Sequence, residues 1–198
     1  MQTSDIIVIG AGIAGSSAAA ELAAQLDVVL LEMEAQPGYH ATGRSAAYFA
    51  TSYGKKVIRE FTASCEGFLL NPPAGFTDVE LLRPRDYMLF GREDQVESLR
   101  AEQAENPRLE FIDAKAVCQR VPIMSADYVH GALWDPRGGD LDVDALLQAY
   151  LRLFRRRGGQ LFNEHRVSRI ERRGGNWRLQ AGDREFEAPV LINAAGAW

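Results

Sequence analysis

The segment Gly10-Ala11-Gly12-Ile13-Ala14-Gly15 stands between the apolar run Asp5-Ile6-Ile7-Val8-Ile9 and an Ala-, Leu- and Glu-rich stretch from Ala14 to Leu26. A continuous apolar run of this length reads as a central parallel strand, and the stretch after the glycines reads as a helix. Val28-Val29-Leu30-Leu31-Glu32 supplies a second buried strand. The three pieces make a βαβ unit, whose crossover is expected to be right-handed. In such a unit Gly10 permits the tight turn, Gly12 lets a pyrophosphate reach the backbone amides, and Gly15 lets helix and strand pack closely. The helix opening at Ala14 offers N–H groups and the positive end of its dipole to phosphate. Glu32 closes the second strand, 20 residues after Gly12, where a carboxylate accepts hydrogen bonds from a ribose diol. A carboxylate there disfavours a 2′-phosphate, so NADP is not expected. The pattern alone leaves NAD and FAD open.

The chain has 198 residues, enough for one large domain or two small ones with a real core. A net charge of −5 argues against nucleic acid as the main partner, because phosphate backbones favour basic surfaces. Cys65 and Cys118 lie 53 residues apart in segments read as helical. They form no metal-ligand spacing, and two free, mostly buried thiols are expected. His40, His130 and His165 are too scattered for a metal site and read as loop or surface residues. Neither a basic leader nor an apolar run long enough to span a bilayer is present, so a cytoplasmic location is the default expectation. Arg152, Arg155, Arg156 and Arg157 sit at a helix C-terminus, where cations suit the macrodipole.

Further along, a helix is expected from about Lys55 to Leu70, ending at Asn71-Pro72-Pro73. Leu82 to Phe90 has strand character despite Pro84, and Glu93 to Glu105 reads as an exposed polar helix. Asp113 can cap a short helix, and Tyr128 to Trp134 reads as a strand. Asp142 or Asp144 opens a helix that stops at Gly158-Gly159. Four short strands follow, the middle pair joined through Gly174-Gly175, before Val190 to Ala194 returns to the buried sheet. The expected architecture is α/β: a Rossmann-like nucleotide-binding domain with a mainly parallel sheet, plus part of an interleaved α+β domain. Residues 1–47 would form the βαβ unit and the loop after it, 48–140 an inserted region, and 141–198 the return to the nucleotide domain.

Gly38-Tyr39-His40-Ala41-Thr42-Gly43-Arg44-Ser45-Ala46-Ala47 follows the ribose-binding strand, where a flavin nucleotide would extend toward its ring. Small residues and one Arg suit backbone pressed against a ring beside a phosphate. Together with the Ile-Gly-Ala-Gly-Ile-Ala-Gly start, Glu32 and the terminal Asn-Ala-Ala-Gly-Ala-Trp, this segment resembles the FAD-dependent D-amino-acid-oxidase and glycine-oxidase family. Within it the chain is most similar to bacterial D-arginine dehydrogenases. Gln36-Pro37-Gly38-Tyr39-His40, Asn71-Pro72-Pro73-Ala74-Gly75-Phe76 and Asp142-Val143-Asp144-Ala145-Leu146 belong to the same resemblance.

The resemblance implies FAD as cofactor, so that the Rossmann-like domain is its FAD-binding domain, residues 1–47 include the flavin loop, and 48–140 lie on the substrate side as part of an interleaved α+β substrate domain. Gly10, Gly12, Ala14 and Gly15 would hold the pyrophosphate and Glu32 the adenosine ribose. Thr42, Arg44, Ser45 and Ala46 would lie along the flavin side, Val167 would meet the adenine through its backbone, and Ala195 and Gly196 would close over the cofactor. Tyr53 matches a tyrosine at the active-site entrance of the D-arginine enzymes. Tyr87 stands where those enzymes carry the Glu that meets a guanidinium, and Tyr48 where they carry a His beside the flavin. Losing that carboxylate removes the counter-charge a buried guanidinium requires. Three tyrosines suit an apolar or aromatic D-amino acid, since rings offer apolar surface with a polar tip.

The implied reaction is hydride transfer from the substrate Cα to the flavin, giving an imino acid that hydrolyses to a 2-oxo acid and ammonia. The implied partners are a small amine or D-amino acid and an electron acceptor of unidentified kind. In this family the clamp on the substrate carboxylate comes from a later sheet domain. The chain therefore reads as the N-terminal half of such an enzyme, with apolar surface left for the other half. An inert dinucleotide-binding fragment completed by a partner chain is the alternative, and an NAD-binding protein without a chromophore is a third reading.

Overall fold

A computed structural model describes residues 1–198. The chain divides into two compact units, Met1–Ala46 with Pro72–Leu81 and Asp142–Trp198, and Ala47–Asn71 with Leu82–Leu141. Residues 72–81, read from sequence as part of the inserted region, thus fold with the nucleotide unit.

The first unit is layered. Its centre is a four-stranded parallel sheet in the order Gln160–Phe162, Val28–Leu31, Ile6–Ile9, Val190–Asn193. Strand side chains alternate between faces, and the burial follows that period. Ile6, Val8, Val28 and Leu30 pack with Ala19 and Ala20 of the helix Ile13–Leu22 and with Leu147, Leu151 and Phe154 of the helix Val143–Arg156. Ile7, Val29 and Leu31 face the other way, onto Leu179, Ala181, Phe186 and Ala188. Those four belong to an antiparallel meander of Val167–Arg173, Asn176–Ala181 and Arg184–Ala188, joined in parallel by Gln2–Thr3. The strand runs are apolar throughout because both faces are covered.

The helix Val143–Arg156 opens at Asp142, whose carboxylate accepts from the Ala145 amide at 2.8 Å. Of the two candidate caps, Asp142 is the one used. The helix closes before Gly158, whose φ of 85° is the left-handed C-terminal conformation.

The second unit holds two three-stranded sheets. In one, Gly139–Leu141 lies between Tyr48–Phe49 and Leu82–Pro84; in the other, Gly131–Asp135 lies between Tyr87–Gly91 and Glu110–Asp113. The single strand expected over Leu82 to Phe90 is therefore two strands in two sheets. Pro84 donates no ladder hydrogen bond and ends the first of them. The strand expected from Tyr128 begins only at Gly131.

The helix Lys56–Leu70 buries Leu69 and leaves Val57, Ile58, Phe61 and Leu70 exposed. The polar segment after Arg92 begins as a 3-10 turn, Glu93–Gln95, before the helix Val96–Glu105, which buries Leu99. Asp113 caps Ala114–Arg120 through the Ala116 amide at 2.8 Å. Both cysteines are free, but Cys65 is exposed and Cys118 only partly covered. The expectation of buried thiols fails at Cys65 because its helix presents that face to solvent. No helix is long and apolar enough to cross a membrane, and no group of three or more His, Cys, Asp or Glu side chains is arranged to hold a metal ion.

Candidate functional site: a dinucleotide pocket in the first unit

The glycine turn sits at the carboxyl ends of the parallel strands, which is where open α/β sheets bind ligands. Gly10 has φ 95°, and a Cβ there would lie 2.5 Å from the Ala194 carbonyl oxygen, so this junction admits only glycine. Gly15 is buried against the Gly10 carbonyl. Gly12 has ordinary extended backbone, and the nearest atom to a Cβ there is Thr42 Oγ1 at 3.0 Å. Its side of the turn is open to the pocket.

The helix Ile13–Leu22 begins without a side-chain cap and without an acidic residue in its first turn. Its first amides have no intrahelical acceptor. Thr42 Oγ1 accepts from the Ile13 amide at 3.0 Å, tying the loop to the helix start. A helix whose N-cap residue offers no side chain and whose first turn holds no acid is suited to an anion.

Glu32 is 7% exposed. Its Oε2 accepts from the Ala11 amide at 2.9 Å and its Oε1 from the Glu34 amide at 3.0 Å. A carboxylate oxygen accepts more than one hydrogen bond, so both oxygens keep capacity for a ribose diol. The residue thus holds the glycine turn as well as lining the cavity beside it.

Around these groups lies a cavity of ≈ 540 Å³. Gly10, Gly12, Ala14, Glu32, Thr42, Val167, Ala195 and Gly196, all expected from sequence, line it. Gly15 lies beneath the turn rather than on the wall. Arg44, Ser45 and Ala46 are exposed and outside the lining, and the Arg44 guanidinium sits 5.1 Å from the Tyr39 ring centroid.

Sequence reasoning missed Glu34, His165 and Trp198 as wall residues and read His40 as a plain loop histidine. Glu34 shares the short segment after the ribose strand, a signal that could have found it. His165 and Trp198 reach the wall only through tertiary packing.

Tyr48, Tyr53 and Tyr87 belong to the second unit. The Tyr48 and Tyr87 rings are 5.7 Å apart. The Tyr48 hydroxyl donates to the Arg85 carbonyl at 2.9 Å, and the Arg85 guanidinium lies 4.7 Å from the Tyr48 ring centroid. Arg85 also pairs with Asp140 at 2.7 Å. Burial pushes the Tyr48 phenol up to about 12; the Asp135 carboxylate adds to the rise and Arg85 opposes it. Tyr53 is 73% exposed in a turn.

The family model "DAO: FAD dependent oxidoreductase" matches residues 5–198. The chain belongs to this family. FAD is accordingly its cofactor, and the glycine turn, the uncapped helix start and Glu32 are the groups that fit it. The DAO-family chain is 26% identical to monomeric sarcosine oxidase of Streptomyces avermitilis, over 99% of this chain and 52% of that protein. It superimposes on glycine oxidase from Geobacillus kaustophilus with a TM-score of 0.88 at 16% identity, covering all of this chain and 56% of that one. L-alpha-glycerophosphate oxidase from Mycoplasma pneumoniae, solved with FAD bound, matches with a TM-score of 0.85 at 15% identity over 98% of this chain and 54% of that one. The chain spans about half the length of the curated relative it matches.

Proposed function

We propose that this chain is the FAD-binding portion of an enzyme that oxidises the Cα–N bond of a D-amino acid or related amine. The product is an imino acid, which water converts to a 2-oxo acid and ammonia. When bound, FAD supplies the two-electron acceptor for that oxidation. The observation that carries the reading is the pocket itself, lined by Gly10, Gly12, Glu32, Thr42, Val167, Ala195 and Gly196 in a chain of the DAO family.

Within this reading each wall residue has a task. The helix start at Gly12–Ala14 meets the pyrophosphate, Glu32 accepts from the ribose, Val167 meets the adenine through its backbone, and Ala195-Gly196 closes over the cofactor. Thr42 on the wall, and Arg44, Ser45 and Ala46 beyond it, are assigned to the flavin side. Tyr48, Tyr53 and Tyr87 are assigned to the substrate side. The Tyr48 hydroxyl is already committed to Arg85, so its part is to present ring surface. That supports an apolar or aromatic side chain on the substrate over a guanidinium.

A second reading is favoured by the coverage of about half of the relatives' length. In it the chain binds FAD and turns over substrate only when joined by the missing half or by a partner chain.

The test is a visible spectrum of the purified chain after addition of FAD and desalting, followed by a panel of D-phenylalanine, D-arginine, sarcosine and glycine under anaerobic conditions. Retained flavin bleached fastest by D-phenylalanine supports the first reading. Retained flavin bleached by none supports the second. Bleaching by sarcosine or glycine alone removes the D-amino acid assignment.

A further inference from the structure

Tyr48 and Tyr87 lie 5.7 Å apart between ring centroids, yet they belong to different sheets of the second unit. Tyr48 opens an outer strand paired with Gly139–Leu141, and Tyr87 opens an outer strand paired with Gly131–Asp135. Those two central strands are consecutive in the chain, joined by Pro136-Arg137-Gly138 alone. The strands Leu82–Pro84 and Tyr87–Gly91 are likewise joined by Arg85-Asp86. The two short links run side by side, because the Arg85 amide donates to the Gly138 carbonyl at 3.0 Å. Whatever fixes these links fixes one tyrosine against the other.

Asp135 fixes one of them. It is fully buried, stands opposite Tyr87 in the ladder, and accepts from the Arg137 amide through Oδ1 at 3.0 Å. An aspartate that bonds the amide two residues on closes an Asx turn. Arg137 Nε lies 3.9 Å from the same oxygen, while its Nη2 donates to the Arg108 carbonyl at 2.7 Å. Asp135 Oδ2 has no partner. An unpartnered buried oxygen is costly, and the side chain is put to use through its one accepting oxygen. The turn it closes brings Gly138 against Tyr48, where a Cβ would overlap the phenol hydroxyl. That hydroxyl donates to the Arg85 carbonyl at 2.9 Å, and the Arg85 guanidinium, paired with Asp140 at 2.7 Å, lies over the ring.

We propose that Asp135 is a positioning residue for the substrate side. By closing the turn before Gly138 it seats the Tyr48 hydroxyl, and so sets the ring surface that Tyr48 and Tyr87 offer to a substrate side chain. The role rests on the assignment of both tyrosines to the substrate side.

The test reads near-ultraviolet circular dichroism of the ligand-free 198-residue chain. The difference between each protein and its Tyr48→Phe counterpart is the signature of the seated ring. Asn offers the same accepting oxygen without the charge, so Asp135→Asn keeps the signature. Asp135→Ala loses it, and Gly138→Ala loses it with Asp135 intact, by displacing the hydroxyl. A folded Asp135→Ala with the wild-type signature, or a folded Asp135→Asn without it, overturns the proposal. If Asp135→Ala does not fold, Gly138→Ala decides, and the wild-type signature there overturns it.

In the flavin-loaded chain, the D-phenylalanine concentration that half-saturates bleaching rises about tenfold in Asp135→Ala and Gly138→Ala, with the saturating rate kept. Asp135→Asn restores it to within about twofold of the wild type. Loss of the signature with unchanged half-saturation overturns the substrate-side assignment, and the positioning role with it. A retained signature overturns the positioning role alone. In a chain that bleaches with no amine, the ring signature decides.

Discussion

Glu32 Oε2 accepts a hydrogen bond from the Ala11 amide at 2.9 Å, which links the end of the second parallel strand to the middle of the glycine turn. A residue that lines the cavity therefore also shapes the glycine turn. The Glu34 amide occupies its other oxygen at 3.0 Å, so the side chain is positioned before any ligand arrives.

Glu32→Gln turns one of these contacts into donor against donor. Since the site is buried, the flavin-free protein should lose about 1–3 kcal/mol of stability, together with FAD affinity. Thermal unfolding of the chain without FAD checks this. An unchanged melting midpoint combined with weaker FAD binding would mean that Glu32 acts on the ligand alone.

Gly10 and Gly12 should separate fold from binding. At Gly10 a Cβ meets backbone 2.5 Å away in a left-handed conformation, so Gly10→Ala should cost about 1–3 kcal/mol or more. At Gly12 the only close atom is Thr42 Oγ1 at 3.0 Å, so Gly12→Ala should stay folded and lose flavin. Circular dichroism melts beside flavin retention distinguish the two. Equal destabilisation by both would contradict the geometry.

Tyr48 has a folded-state value raised to about 12, first by burial and then by Asp135. A raised value means that its contribution to stability is complete below the ordinary tyrosine range near 10 and is lost as pH climbs toward 12. The phenolate absorbance step missing from Tyr48→Phe should therefore centre near pH 12. The variant should also lose less stability than the wild type over that alkaline window. A missing step centred at the ordinary tyrosine value would remove this account.

Cys65 is exposed on the helix Lys56–Leu70, whereas Cys118 is half-covered and contacts the Met124 carbonyl. A thiol reagent should label Cys65 first, with Cys118 following only as the fold loosens. Mass mapping after brief labelling reads the order, and equal rates would contradict the difference in burial.

The nucleotide half of this protein was legible in its residues because its signals are local. The strand Ile6–Ile9, the turn Gly10–Gly15, the helix after it and the strand Val28–Leu31 follow one another closely, and Gly15 answers to the Gly10 carbonyl five residues away. Asp113 and Asp142 were readable as caps for the same reason, since a cap acts within one turn.

Elements that depend on distant partners were not legible. Leu82 to Phe90 reads in sequence as one strand despite Pro84, yet its two ends pair with Gly139–Leu141 and Gly131–Asp135 in separate sheets. The commitment of the Tyr48 hydroxyl to Arg85 and the exposure of Cys65 are likewise invisible to periodicity. Hydrophobic pattern reports that a face is covered but not what covers it.

The sequence by itself determined the βαβ unit, its glycine turn and the acid that closes its second strand, because those requirements are set by backbone conformation within one such unit. Only the tertiary structure decided that Trp198 stacks on His40, that Thr42 takes the Ile13 amide, and that Pro72–Leu81 folds with the nucleotide unit. Those contacts join segments tens of residues apart, and side-chain packing between such segments has no period in the chain from which to read it.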